Sequence, residues 1–152
     1  MRCWILKTEP GEFSIDDLER RPGQTEPWDG VRNYQARNDL RDGMRPGDLG
    51  FLYHSSCAEP GIVGIVRVAG KAYPDPTQFD PGHPHFDPGS KPSDPRWYLV
   101  DVTLERRLRR PIPLAELKAH EALAAMPLLR KGNRLSVMPV TPEDWHYILG
   151  LE

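Results

Sequence analysis

The chain is short of cysteine, of long apolar runs and of excess charge, and each shortage removes a class of protein. Two cysteines, Cys3 and Cys57, exclude a disulfide framework and a four-cysteine zinc site. No apolar stretch approaches the ~20 residues that a membrane-spanning helix needs. Mean hydropathy is −0.59, as expected of a soluble globular chain. Lys and Arg total 20 against 22 Asp and Glu, a net charge of −2. That balance argues against coating nucleic acid by bulk charge, which takes many Lys and Arg contacts, but it allows a local basic patch. Met1 runs almost directly into Cys3-Trp-Ile-Leu6, which leaves no space for a signal peptide, so a cytoplasmic address is expected. There is no Walker loop, no Gly-x-Gly-x-x-Gly, no Gly-x-Ser-x-Gly and no His-Glu-x-x-His. At 152 residues the chain is long enough for one domain with a sizeable core, and 1–152 is read as that single domain.

Proline is abundant instead, with 17 residues, seven of them between Tyr73 and Pro95. Proline lacks a backbone donor and is kept out of central strands, so the chain carries long fixed loops. Residues 73–95 show no regular pattern and are expected to form an ordered surface loop anchored by Tyr73, Phe79 and Phe86. Strands are predicted over Arg2 to Thr8, Leu49 to His54, Ile62 to Val68, Trp97 to Leu108 and Arg134 to Val140. The nearly all-apolar Ile62 to Val68 segment predicts burial on both faces, with Gly64 allowing close backbone approach. Short helices are predicted after Ser14, across the second half of Pro27 to Leu40, over Leu114 to His120, and after Thr141-Pro142. Strands scattered among short helices, without regular alternation, argue for α+β and a strongly curved sheet or barrel.

Four groups of residues could carry chemistry. Lys7-Thr8-Glu9 ends the first strand; a partly buried Lys there needs a carboxylate or carbonyl partner, unless it simply snorkels to water. Trp28-Asp29-Gly30 leads into a segment through Asn38 rich in Arg, Asn, Gln and Tyr, the hydrogen-bonding vocabulary for bases and phosphates; a solvated helix with Trp28 and Tyr34 in the core is the alternative. Tyr53-His54-Ser55-Ser56-Cys57 offers a pocket rim; a His54–Cys57 nucleophile pair lacks a third orienting group. Arg106, Arg107, Arg109 and Arg110 lie within five residues, followed later by Arg130, Lys131 and Arg134; they could raise local potential, or could be a solvated strand end. His83 and His85 lack a third metal ligand at a convincing spacing, and no metal site is expected.

Several motifs together resemble the EVE domain. They are Trp4-Ile-Leu-Lys-Thr-Glu-Pro10, the run from Trp28 to Asn38, Tyr53-His-Ser55, Tyr73-Pro-Asp75, Pro95-Arg-Trp97 and Arg134-Leu-Ser-Val137, spread over residues 2 to 150. The resemblance implies a PUA-like fold, a small curved-sheet pseudobarrel with flanking short helices. It also implies kinship with YTH domains, which read methylated adenine in RNA. Lys7-Thr8-Glu9 and Trp28-Asp29 look like counterparts of the YTH Lys-Ser-Asn sequence and cage tryptophan, with Glu9 in place of the amide. Thr8 stands where Ser is more usual in the family and keeps the hydroxyl.

The function so implied is non-catalytic: a nucleic-acid-binding domain that reads a modified cytosine or adenine, in DNA or RNA, in an aromatic-lined pocket. The ligand-binding residues implied are Lys7, Thr8, Glu9, Trp28, Asp29, Asn33, Tyr34, Tyr53, His54, Ser55, Arg134 and Ser136. Arg32, Arg37, Arg106, Arg107, Arg109 and Arg110 are expected to contact phosphates. No cofactor and no membrane partner is expected. The alternative is a hydrolase acting on modified nucleosides in the same pocket, because ASCH domains share the fold group and some use Lys, Thr and Glu. The aromatic, amide-rich run from Trp28 favours the reader over an acid–base–nucleophile set.

Overall fold

A computed structural model describes residues 1–152. In chain order the elements are β1 (Cys3–Thr8), α1 (Ile15–Arg20), β2 (Thr25–Pro27), α2 (Tyr34–Asn38), β3 (Leu49–His54), β4 (Gly61–Val68), β5 (Tyr73–Pro74), β6 (Tyr98–Leu99), β7 (Asp101–Pro113), α3 (Leu114–Ala119), β8 (Val137–Val140) and α4 (Pro142–Leu149). Six strands form one mixed sheet in the order β2-β7-β4-β3-β1-β8, and β5 pairs with β6 in a separate ribbon. The only parallel pair is β1 with β3; all other neighbours run antiparallel. A parallel pair needs a crossover, and the segment carrying α1, β2 and α2 supplies it.

The fold is a PUA-like half-barrel with four short helices. Its curvature comes from irregular pairing of β4 with β7. Gly64 faces Arg107 while Ile62 faces Ile112, so four residues of β7 stand against Val63 alone. Such an excess bends a strand and increases its twist. Gly61 and Gly64 allow the approach: a Cβ on either would press on the β7 backbone, at the Ile112 or the Arg106 carbonyl. The predicted strand from Trp97 to Leu108 is two strands, β6 and the first part of β7. It breaks at Val100, whose carbonyl accepts from Trp28 N at 2.8 Å, and its second part runs on to Pro113.

Both sheet faces are covered. Trp4 and Leu6 of β1 pack on one side with Leu18, Leu40, Leu52 and Val102, under α1 and α2. Ile5 faces the other way into Phe51, Leu117, Trp145 and Ile148, under α3 and α4. This is why β1 reads as continuously apolar at Trp4-Ile5-Leu6. The helix starts follow their sequence signals. Ser14 and Asp17 form a reciprocal capping box on α1, and Thr141 accepts from Asp144 N at the start of α4. The helical path of α2 continues as a wider turn through Gly43.

Residues 73–95 are ordered, but chiefly by polar groups rather than the expected aromatics. Tyr73 and Phe86 stay 38% and 36% exposed. The fully buried Gln78 amide uses its whole capacity instead: it donates to the Asp75 and Trp97 carbonyls and accepts from Ser90 Oγ and Trp97 N. Loop backbone with seven prolines has few donors of its own, so side chains fix its path.

Asp48 is a second buried polar anchor. Its carboxylate accepts from Arg2 N, Arg45 N and the Trp4 indole, each at 3.0–3.1 Å. Asp48→Ala should lower the unfolding free energy by about 2–3 kcal/mol in urea titrations, because a core indole N–H loses its acceptor. A loss under ~0.5 kcal/mol, the scale of an ordinary surface change, would show that these donors find other partners.

Candidate functional site

The ends of β1 and β3 and the loop after β2 open onto a cavity of about 650 Å³. Lys7, Thr8 and Glu9 come to it along β1, and Ser55 and Ser56 come from the end of β3. The pairing continues past the strands: Ser55 N donates to Thr8 O, and Lys7 N donates to Ser136 O. Three chain segments distant in sequence are thus fixed at one rim by backbone bonds. Ser56 holds a left-handed φ of 53°, a costly conformation for a residue with a side chain.

Trp28 forms part of the opposite wall. It sits in an irregular segment, 7% exposed, with its ring edge-on to Phe13 at 6.2 Å between centroids. It is both a core residue and a cavity-lining one. Gly30 then turns the chain with φ 78°, and a Cβ there would overlap the His85 ring. His85 closes this side of the cavity. Its Nδ1 is buried without a hydrogen-bond partner.

This wall is held by Asp75, whose side chain is wholly buried. Its carboxylate accepts from Gly30 N, Thr77 N, Thr77 Oγ1 and the Arg32 guanidinium, at 2.6–3.1 Å. Burial pushes the carboxyl up, but the bonds from Thr77, Gly30 and Arg32 outweigh it and hold the group below the usual carboxylate range. Arg32 also donates twice to the His85 carbonyl and once to Thr77. Arg32, expected to face a phosphate, is here an internal clamp between the Trp28 segment and the 73–95 loop.

The charged groups are unevenly distributed. Four carboxylates line the cavity, at Glu9, Glu12, Glu26 and Asp29, against the cations Lys7 and Arg134. Partial burial and the nearby Asp75 push the Asp29 carboxyl up; His85, His83 and Arg32 oppose this. Burial alone pushes the Lys7 ammonium down, with no carboxylate acting against it. Lys7 forms no ion pair; its Nζ lies 5.8 Å from the centre of the Tyr53 ring.

The structure thus brings Lys7, Thr8, Glu9, Trp28, Asp29, Ser55, Arg134 and Ser136 to one cavity. The other expected ligand residues lie elsewhere. Asn33 caps α2 through Ala36 N. Tyr34 stacks on Trp97 at 4.8 Å beneath the Arg37 guanidinium, and Arg37 donates to the Arg96 carbonyl. Tyr53 packs in the second core and borders a neighbouring recess. His54 Nε2 accepts from Ile15 N at 3.1 Å, and no hydrogen bond joins His54 to Cys57. His83 and His85 stand 5.0 Å apart ring to ring, and no third His, Cys, Asp or Glu joins them as a metal ligand. Arg106, Arg107 and Arg110 pair with Glu152, with Asp16 and Glu19, and with Glu116. Sequence reasoning misses Glu12, Glu26, His85 and Asn133 as cavity residues. Only His85 carries a signal, and its pairing with His83 points to metal chemistry instead.

The family model described as EVE domain matches residues 2–151. Thymocyte nuclear protein 1 from mouse is 49% identical over 98% of this chain and 73% of its own length. A crystal structure of the human THYN1 protein in complex with DNA containing 5-methylcytosine is 45% identical, with a TM-score of 0.95 over 99% of this chain and 97% of that one. A crystal structure of a protein from Pseudomonas syringae is 48% identical, with a TM-score of 0.92 over 98% of each chain.

The His54 contact gives a pH dependence. Burial, aided by Arg107 and opposed by Asp16, lowers the His54 pKa, so the folded chain favours the neutral acceptor. This stability is complete above the unfolded value of about 6.5 and is lost as pH falls through the lower folded value. His54→Gln keeps an acceptor that does not titrate. Thermal melts should show the wild type losing stability relative to His54→Gln below about pH 6.5. Parallel curves would show that His54 does not support α1 in this way.

Proposed function

The chain belongs to the EVE domain family, and on that premise we propose that it binds DNA and reads a modified base, a modified cytosine, in the cavity between Lys7 and Trp28. The observation that carries this reading is the convergence of an indole, an unpaired ammonium and an exposed carboxylate on one recess. A base swung out of its stack has two π faces and a polar edge, and pockets for it combine stacking with edge hydrogen bonds. Trp28 supplies the aromatic surface, and stacking on such surfaces is worth ~1–3 kcal/mol per base. The Lys7 ammonium donates to a ring carbonyl, and the Glu9 carboxylate accepts from an exocyclic amine. Cytosine offers both groups on one ring, whereas adenine has no carbonyl. The complex of the human relative with DNA containing 5-methylcytosine supports the same choice.

A methyl group alone adds only ~0.8 kcal/mol when fully buried. Discrimination must therefore also come from excluding the water that an unmodified ring leaves against the wall. In the hydrolase alternative Thr8 supplies the hydroxyl of the Lys-Thr-Glu set, yet its Oγ1 donates to Phe13 O at 2.7 Å. This favours recognition over turnover.

Trp28→Ala is a poor test, since emptying a core site of this kind costs about 3–5 kcal/mol of stability. Trp28→Phe keeps the site filled and should weaken binding of a duplex bearing one 5-methylcytosine by about 1 kcal/mol. Glu9→Gln, at an exposed position, should change the ranking among modified cytosines without shifting the melting temperature. Anisotropy titrations against an unmodified twin duplex read both effects. Equal affinity of wild type and Trp28→Phe, with the ranking intact in Glu9→Gln, would move the base out of this cavity. Conversion of modified cytidines by the wild type, followed by mass spectrometry and absent in Lys7→Ala, would replace the reader with the hydrolase.

A further inference from the structure

Next to the cavity lies a second recess of about 530 Å³, between α3 and the turn at residues 130–133. The two share a wall made of Lys7, Ser55, Ser56 and Asn133, yet they differ sharply in charge. The first holds four carboxylates against two cations. The second has Lys7, Lys118, Arg130 and Lys131 along its lining and no carboxylate. We propose that this basic recess carries the sugar-phosphate backbone flanking the base in the cavity. The proposal rests on the base-reading function above and adds the path of the strand.

A base ring is neutral and can enter an acidic recess through its donors. A phosphodiester cannot, because carboxylates at close range repel it. The strand must leave the cavity on a side where that repulsion ends, and across the shared wall the potential reverses. Lys118, Arg130 and Lys131 are also free to act. Every ion pair of the chain engages other cations, including Arg106, Arg107 and Arg110 of the run that composition singles out. A cation already neutralised by a carboxylate releases few counterions when a phosphate arrives, whereas an unpaired one contributes its full charge.

The turn that bears Arg130 and Lys131 is preorganised. Asn133 Nδ2 donates to Pro127 O at 2.6 Å, and Asn133 Oδ1 accepts from Leu135 N at 2.9 Å. Gly132 takes a left-handed φ of 80°, which closes the turn. Asn133 thus sets the turn against the cavity and the recess at once, so the spacing between base and backbone is built into the fold.

The test uses the full chain, a labelled DNA duplex carrying one 5-methylcytosine, and its unmodified twin, titrated over a NaCl series. Arg130→Gln with Lys131→Gln should weaken both duplexes by the same factor, ten-fold or more, and leave their affinity ratio unchanged. It should also flatten the slope of log affinity against log salt by close to two, about 0.9 for each phosphate that is no longer neutralised. Both residues are exposed, so melting curves should match the wild type. Arg67→Gln with Lys71→Gln, outside both recesses, should leave the slope as in the wild type. An unaltered slope in the Arg130 and Lys131 variant, or a changed ratio between duplexes, overturns the proposal. A wild type that binds both duplexes equally overturns base reading, while the slope of the Arg130 and Lys131 variant still decides whether the recess holds phosphates. No binding to either duplex overturns both.

Discussion

The buried carboxylate of Asp75 is the constraint on which the rest of the site depends. Placing a charge in the interior is costly unless nearly every lone pair finds a donor. Asp75 meets that condition with donors from two directions, Gly30 and Arg32 on one side and Thr77 on the other. It therefore joins the turn after Trp28 to a proline-rich loop that is poor in backbone donors. Arg32 then extends the tie to the His85 carbonyl, and the His85 ring lies against Gly30 where a side chain would otherwise stand. The orientation of Trp28, the position of His85 and one wall of the cavity follow from this single group. A short, polar stretch can be rigid because its polar atoms bond to one another rather than to water.

Much of the framework is legible in the chain itself. Alternation locates the start of β7, the apolar run marks β4 as covered on both faces, and Ser14 and Thr141 announce their helices. What escapes is what local pattern does not encode. The bend of β7 depends on four residues facing Val63 across a distant strand, so nothing near Leu108 signals it. Aromatics are the natural candidates for loop anchors because burial is usually apolar, whereas Gln78 and Asp75 are buried by virtue of complete hydrogen bonding. The arginines at 106–110 stand out in composition, but their carboxylates at Asp16, Glu116 and Glu152 come from elsewhere in the chain. Lys7, Glu9 and Trp28 are visible as candidates from their motifs. Glu12, Glu26 and Asn133 reach the cavity only because the fold carries them there.

The near-zero net charge conceals a local order. Nine of the fifteen arginines are paired with carboxylates, and of the eleven cations without such a partner Lys7, Lys118, Arg130 and Lys131 line one recess that holds no carboxylate. A protein built this way attracts polyanions at a chosen place without sticking to them everywhere.

The position of β1 has a consequence for how the molecule comes into being. Within this chain β1 is made before both of its neighbours, β3 and β8, and β8 ends at Val140. Until that strand is made, one edge of β1 has unpaired backbone groups, and the Lys7 amide lacks its Ser136 partner. Such an edge is a template for pairing with other chains, so nascent β1 needs shielding until β8 has been made. The late closure also acts as a checkpoint: Asn133, Arg134 and Ser136 reach the cavity only when the segment leading into β8 has been made and docked.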